Sequence, residues 1–266
     1  MRGGQAAMTA LLALMLLAAP AAAEERDYCP ERPGLNTPPC IIDRGHVSVE
    51  TSLADWTLDK QGGDRTDTVL IGDTKVRIGL TDAVEAQVGW TPYAIARERT
   101  GGVVDRRTGV GDVRLGVKAS LMHPGGEGLS VAVLPFVTLP VGRSGIGAGD
   151  WGAGALLPVS WSLTKALQFE ATPEIDAAVN GGGRGRHLAY SGTAGLGWKL
   201  TDAAVLTGEG RVERDDDPGA HETHALAALS LGVMAGRNLQ FDVLAAKGLN
   251  RTTADVEVYG GVSARF

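Results

Sequence analysis

The chain has 266 residues and a formal net charge of −6 at pH 7, with 25 Lys and Arg residues against 31 Asp and Glu residues. This mildly acidic balance tells against a nucleic-acid partner, which usually requires a strongly basic surface. The 38 glycines are about twice the usual share and indicate either low complexity or many tight turns and closely packed strands. The regular alternation described below excludes low complexity.

The N-terminus predicts export. Arg2 is the only charge before the apolar stretch Ala10–Ala19, and a run of small residues ends at Ala23. A charged start, a short apolar core and a small-residue cleavage site are typical of a secretory signal peptide, here residues 1–23. The alternative, a membrane anchor helix, is disfavoured because the apolar core is shorter than the roughly 20 residues that span a bilayer.

Residues 24–44 are predicted to form an extended periplasmic segment, because prolines recur between residues 30 and 39 and interrupt regular structure. This segment carries the two cysteines of the chain, Cys29 and Cys40. An even cysteine count in an exported protein favours a disulfide, with two reduced thiols as the alternative. No histidine lies near the pair, so no metal site is predicted.

From residue 45 onward, the sequence alternates with a period of two, most clearly in the last segment. Even positions from Val256 to Phe266 are apolar or glycine, and odd positions from Asp255 to Arg265 are mostly polar. This spacing is typical of a β-strand with one apolar face and one polar face. A terminal aromatic residue such as Phe266 is a common recognition signal for the outer-membrane barrel assembly machinery, which is therefore an expected partner.

About twelve alternating runs follow one another, with ten or fourteen as alternative counts. They are longer than the roughly 5–6 residues of strands in soluble proteins and match the roughly 9–11 residues that cross a bilayer. Every second connection is short, such as Thr81-Asp82, and the others, such as Glu98–Thr108, are longer and polar. Outer-membrane barrels sort their connections in this way.

These patterns predict an all-β fold: a transmembrane, up-and-down antiparallel β-barrel over residues 45–266, placed in the bacterial outer membrane and in contact with its lipid. The alternative fold is a soluble exported β-protein. Such a protein has no reason to alternate short and long connections.

Charged residues on the polar face of the predicted strands point into the barrel lumen. So many unpaired ions would be costly in a dry core, so a wet or ion-paired lumen is expected. The charges either set the ion selectivity of a pore or form a salt-bridge network that fills the barrel, and both hypotheses stay open. A further hypothesis is that the N-terminal segment, closed by a disulfide between Cys29 and Cys40, plugs the lumen. The predicted lumen-lining residues are Glu50, Asp73, Lys75, Arg77, Glu85, Asp112, Arg114, Lys118, Glu170, Glu174, Asp176, Glu209, Arg211 and Asp242.

Short glycine-rich motifs recur in a fixed order along the chain. They are Arg32-Pro33-Gly34, Arg77–Asp82 with Glu85, Thr108–Asp112 with Leu115-Gly116 and Lys118, and Tyr259–Phe266. With these motifs the chain resembles the "putative meta-pathway of phenol degradation" family of Gram-negative outer-membrane proteins, often labelled transporters. Where the family often has Asp before its Arg-Pro pair, this chain has Glu31. The resemblance implies an outer-membrane channel that passes small solutes inward, among them small hydrophobic or aromatic compounds.

Catalytic chemistry is not indicated. The chain has no Gly-x-Ser-x-Gly motif, and strand spacing turns His221 and His224 to opposite faces, so a shared metal is not expected. No cofactor and no enzyme activity are predicted. The leading hypothesis is a passive outer-membrane channel for small solutes. The alternatives are a non-conducting structural or adhesive barrel and a barrel enzyme that acts on lipids.

Overall fold

The computed structural model describes residues 25–266, so the predicted signal peptide lies outside the described residues. Residues 25–266 contain no helix long and apolar enough to cross a membrane. They form sixteen β-segments. The segments are β1 (Val47–Gln61), β2 (Asp64–Ile71), β3 (Thr74–Thr81), β4 (Val84–Trp90), β5 (Tyr93–Thr100), β6 (Val103–Gly109), β7 (Val113–Met122), β8 (Leu129–Leu139), β9 (Gly152–Leu156), β10 (Val159–Ser162), β11 (Leu167–Val179), β12 (Arg186–Lys199), β13 (Ala204–Asp217), β14 (Ala220–Met234), β15 (Leu239–Gly248) and β16 (Val256–Arg265).

The segments make a closed barrel of twelve strands. Four barrel strands are each interrupted once, so that β2 continues into β3, β4 into β5, β6 into β7, and β9 into β10. Neighbouring strands pair antiparallel, and β16 pairs with β1 to close the sheet. The prediction of a twelve-stranded antiparallel barrel is therefore confirmed.

The two faces of the wall differ as the alternation predicts. Along β15, Gln240, Asp242 and Leu244 are buried toward the lumen, while Phe241 and Val243 between them are exposed. An exposed apolar face is stable here because the hydrocarbon of the membrane takes the place of a protein core. Trp161 and Trp198 lie on the same outward face beside short turns, where barrels place an aromatic girdle.

Both termini of the barrel lie at the end that carries the short turns. The backbone amide of Val47 donates to the carbonyl of Phe266 at 3.0 Å, and the amide of Phe266 donates back at 2.8 Å. The turns between β3 and β4 and between β12 and β13 lie at this end as well. An even strand number requires this arrangement.

Three of the opposite connections are not the longer loops that the sequence predicts. Their chains remain paired as strands up to two-residue turns at Gly62-Gly63, Gly101-Gly102 and Pro218-Gly219. Gly62 and Gly63 have φ of 61° and 98°, the left-handed conformation that tight hairpin turns require. The prediction was wrong because these segments carry polar side chains, which are typical of loops. Strands that extend beyond the lipid-facing part of the barrel are held by backbone hydrogen bonds and need no apolar side chains.

Candidate functional site: an N-terminal ring in the barrel lumen

The N-terminal segment lies inside the barrel, where it contacts inward-facing residues of the wall. A disulfide joins Cys29 to Cys40, with Cα atoms 6.4 Å apart, and we call residues 29–40 the N-terminal ring. Arg77 on β3 donates hydrogen bonds to the carbonyl oxygens of both cysteines, at 2.8 Å and 3.1 Å. One wall residue therefore holds both ends of the ring.

A buried cluster of charges fixes the ring to the wall. The Arg77 guanidinium contacts the carboxylates of Glu50 at 3.0 Å and Glu85 at 2.8 Å, and all three side chains are fully buried. Lys118 Nζ lies 3.3 Å from Glu85 and 2.6 Å from Glu31 of the ring. Paired and hydrogen-bonded in this way, charges tolerate burial that would be prohibitive for an isolated ion.

Glu31 completes the charge balance of this cluster. The wall supplies two carboxylates, from Glu50 and Glu85, against the cations of Lys75, Arg77 and Lys118. Glu31 is the third carboxylate, and Lys75 Nζ lies 2.5 Å from it. Burial by itself would raise the pKa of Glu31, but the neighbouring cations, Lys118 foremost, hold that pKa well below its usual range.

Glu209 on β13 anchors the far side of the ring. Its carboxylate accepts hydrogen bonds from the backbone amides of Leu35 and Asn36, both at 2.9 Å, and from the Asn36 side chain at 2.8 Å. The next amide of the ring, on Thr37, donates to the Thr172 hydroxyl at 3.1 Å. We call residues 35–38 the septum, because this stretch crosses the lumen.

A third anchor lies on the last two strands. Arg32 of the ring pairs with Asp242 at 3.0 Å and stacks on the ring of Tyr259, 4.4 Å from its centroid. The Tyr259 hydroxyl accepts a hydrogen bond from the amide of Gly34 at 2.9 Å. The Arg-Pro-Gly motif of the sequence is thus part of the contact between ring and wall.

Inward-facing glycines of the wall leave room for the N-terminal segment. A Cβ on Gly79 would lie 2.0 Å from the carbonyl oxygen of Asp43. One on Gly261 would clash with the carbonyl oxygen of Thr51 on the neighbouring strand and lie 2.5 Å from the Arg32 guanidinium. Contacts below 3.0 Å force the structure to shift. Glycine at position 79 is therefore a requirement of the seated segment, and glycine at position 261 is a requirement of the wall as well.

Two hollow spaces remain on either side of the septum. The outer cavity has a volume of about 350 Å³ and is bordered by Leu35 and Thr37 of the septum. The inner cavity has a volume of about 300 Å³ and is bordered by Asn36 and Pro38. No lining residue is common to the two cavities. The rest of the ring, from Cys29 to Pro33, also borders the inner cavity, so the ring as a whole divides the lumen.

The outer cavity combines aromatic and charged walls. Arg114 stacks on Phe136, 3.4 Å from the ring centroid, and lies 3.4 Å from the carboxylate of Glu174. Arg211 approaches the same carboxylate at 3.7 Å, and the buried Leu134 adds apolar surface. This surface can hold a small solute that carries both a polar group and an apolar body.

The structure sorts the fourteen predicted lumen residues into groups with different surroundings. Asp112 holds the connection between β8 and β9, since it accepts hydrogen bonds from the amides of Gly142 and Ala148, both at 2.7 Å. Glu170 borders the inner cavity, and Asp176 borders a hollow next to the outer cavity. Asp73, Arg114, Glu174 and Arg211 line the outer cavity, and Glu50, Lys75, Arg77, Glu85, Lys118, Glu209 and Asp242 contact the ring or the ions that hold it.

Sequence reasoning missed the ring's own contributors, Glu31, Arg32 and Asn36. Glu31 and Arg32 adjoin or belong to the family motif, so the resemblance offered a signal that they matter. Asn36 carries no such signal. Their partners lie up to 210 positions away, which no local pattern reveals.

Features of an enzyme site are missing from the part of the chain that the structure covers. Within residues 25–266, histidines contact backbone carbonyls, asparagine or carboxylates, and none is hydrogen-bonded to a serine hydroxyl. No group of three or more His, Cys, Asp or Glu residues in this range could hold a metal ion.

A closed twelve-stranded barrel with an apolar outer face and a charged lumen is an outer-membrane β-barrel of the porin type. The family described as "Putative MetA-pathway of phenol degradation" matches residues 31–266, and the chain belongs to this family. The resemblance noted in the sequence is therefore confirmed. No curated relative matches the chain.

Solved structures share this fold at low identity. An outer membrane channel from Pseudomonas putida F1 is similar with a TM-score of 0.68 and 10% identity, over 91% of this chain and 98% of the channel. The NanC porin is similar with a TM-score of 0.52 and 11% identity, over 82% and 98%. The transport unit of the autotransporter AIDA-I from Escherichia coli gives 0.53 and 10%, over 99% and 97%.

Proposed function

We propose that this protein is a passive outer-membrane channel for small solutes, and that the septum closes its lumen. The observation that carries the proposal is the pair of cavities, about 350 Å³ and 300 Å³, which lie on either side of the N-terminal ring and share no lining residue. Barrels of about eight strands fill their lumen with side chains, whereas barrels of about sixteen strands leave an aqueous channel. Here the lumen is hollow on both sides of the ring.

The septum is easier to displace than the rest of the ring. It is held by hydrogen bonds to Glu209, Thr172 and Lys118 and, within residues 25–266, makes no ion pair. Glu31 and Arg32 of the ring, by contrast, are ion-paired. A hydrogen bond to a charged group contributes about 1.5–3 kcal/mol net. The bond from Lys118 to the Pro38 carbonyl, at 3.1 Å, links the septum to the ion cluster. Release of the septum from Glu209 and Thr172 is therefore the opening step of this proposal.

The solute class follows from the lining of the outer cavity. Volumes of roughly 300 Å³ and above accommodate small organic molecules, and Phe136 offers aromatic surface beside Arg114 and Arg211. We therefore propose small amphipathic solutes, including aromatic compounds with a polar group. No cofactor and no covalent step are part of this proposal.

The membrane location rests on the same proposal. The neighbours in fold are outer-membrane barrels, and the predicted signal peptide and terminal Phe266 fit export and insertion by the barrel assembly machinery. With the short turns and both termini at one end, that end faces the periplasm. Solutes then enter through the outer cavity.

One alternative is supported by a specific observation. Since the septum closes the lumen in the structure, a non-conducting barrel whose outer hairpins bind a partner is the second candidate. A lipid-acting enzyme has no comparable support, because residues 25–266 bring no serine hydroxyl to a histidine.

Planar-bilayer conductance of the refolded mature protein tests the channel proposal. We expect wild type to conduct in rare, small steps, and Glu209→Gln to conduct in more frequent or larger steps, since it weakens three hydrogen bonds to the septum. Asp202→Asn is the control, since Asp202 is an exposed carboxylate at the short turn between β12 and β13. Silent bilayers for wild type and for Glu209→Gln, with correct insertion of both, would support the non-conducting barrel.

A further inference from the structure

The outer end of the wall carries a row of cations that the channel proposal does not use. In the antiparallel register, Arg65 lies directly opposite Arg99, and Arg97 lies directly opposite Arg106. Lys60 lies opposite Arg65 on the other side. Directly opposed residues share one face of a sheet, with Cβ atoms about 5 Å apart. We call these five residues the basic row.

The basic row faces away from the lumen and lies above lipid-facing apolar side chains. Ala94 on β5 is 0% exposed on the lumen side, and alternation turns Ile95 and then the arginines outward. Ile95 lies opposite Val69 on the same outward face. An outward face that changes from apolar to cationic along the strand marks the boundary between the hydrocarbon and the headgroups of the membrane.

The basic row is poor in compensating carboxylates. Asp67 is bonded to Arg65 through both of its oxygens, each at 2.7 Å. Over residues 25–266, Arg97, Arg99 and Arg106 have neither a salt bridge nor a side-chain hydrogen bond. Like charges directly opposite one another destabilise a sheet, so the arrangement favours an anion between the guanidinium groups.

A small hollow marks where such an anion fits. It has a volume of about 90 Å³ and is lined by Arg65, Asp67, Arg97 and Arg99. Guanidinium groups bind phosphate oxygens through paired hydrogen bonds. We propose that the basic row binds the phosphate groups of an anionic lipid in the outer leaflet of the outer membrane. A lipid is the source because the row lies at the headgroup boundary, given that both termini face the periplasm.

The test compares Arg97→Gln/Arg99→Gln with wild type and with Arg107→Gln. Arg107 is the matched control because it lies on the inward face of the same hairpin, paired with Asp105 at 2.8 Å. The dissociation constant of the full mature protein in neutral detergent micelles is measured for lipid A, phosphatidylcholine and inorganic phosphate. Thermal unfolding without lipid is recorded in parallel.

We expect wild type and Arg107→Gln to bind lipid A equally, and the double variant to bind it at least about tenfold more weakly. Without lipid, the double variant should unfold at the same temperature as wild type or higher, since the like-charge repulsion is relieved. Equal binding of lipid A by all three proteins would overturn the proposal. Wild-type binding of phosphatidylcholine as tight as that of lipid A would overturn it too, as would inorganic phosphate binding as tightly as lipid A, which would indicate a site for free anions.

Discussion

Arg77 joins the barrel wall to both ends of the N-terminal ring. Its guanidinium contacts Glu50, Glu85 and the carbonyl oxygens of Cys29 and Cys40. A guanidinium suits this position because its donors are fixed in a plane and it stays charged when buried. At the scale of single residues, Arg77 and its partners therefore form a specific ion-paired cluster that joins the ring to the wall.

Removal of Arg77 should be costly for this reason. We expect Arg77→Met to lower the free energy of unfolding by about 3–5 kcal/mol, because it leaves buried carboxylates short of a counter-charge. Urea unfolding in detergent micelles measures the difference. Arg237→Met, at an exposed turn, is the control and should change little. A loss for Arg77→Met no larger than that of the control would show that the cluster does not stabilise the fold.

At the scale of elements, β3 is shaped to receive the N-terminal segment. Arg77 and Gly79 are successive inward-facing residues of this strand, one supplying the charge and the other the space. The amide of Ile42 donates to Glu85 at 2.7 Å on the neighbouring strand. The family motif that runs from Arg77 to Glu85 thus forms one continuous docking surface over β3 and β4.

A methyl group at Gly79 should loosen this docking. In Gly79→Ala the new Cβ would lie 2.0 Å from the carbonyl oxygen of Asp43, so residues 41–43 must move. We expect amide hydrogen exchange over residues 40–45 to become roughly tenfold faster. Gly192→Ala is the control, since no atom lies within 4 Å of its Cβ position. Unchanged exchange in Gly79→Ala would mean that the segment tolerates the clash by a shift of the wall.

At the scale of the whole molecule, the barrel and the ring are held by different means. Barrel closure rests on strand pairing around the full circle, ending with β16 on β1. The ring is closed by the disulfide, and its anchoring residues, from Glu31 to Thr37, all lie between the two cysteines. The ring can therefore change its state without opening the barrel.

Loss of the disulfide should affect the ring and spare the barrel. A disulfide that closes a loop of this length lowers the conformational entropy of the detached chain, which corresponds to a free energy of about 3 kcal/mol. We expect Cys29→Ser/Cys40→Ser to insert as a normal barrel and to conduct more than wild type, as should wild type after reduction. Bilayer conductance and heat-modifiable migration measure the two properties. Conductance equal to that of oxidised wild type would show that the anchors alone keep the septum in place.

The alternating sequence determined the barrel, because side-chain direction in a strand is a local property with a period of two. It favoured twelve strands but left ten and fourteen open, and the closed sheet decided the number. The family motifs are local as well, and they indicated the correct family. The hairpins at the outer end were missed because polar residues in a paired strand resemble loop residues when only local composition is considered.

Only the tertiary structure placed the ring in the lumen and decided which charges meet. Glu31 and Lys118 are 87 positions apart, and Asn36 and Glu209 are 173 apart. The curvature of the closed sheet brings such residues together, and a period-two pattern carries no information about that distance. The sequence therefore could not decide between an ion-selective lining and a filled lumen. The structure has an ion-paired ring across a hollow barrel. Glu31 of the ring holds it there, because its carboxylate neutralises the cation of the buried cluster that the wall carboxylates leave unpaired.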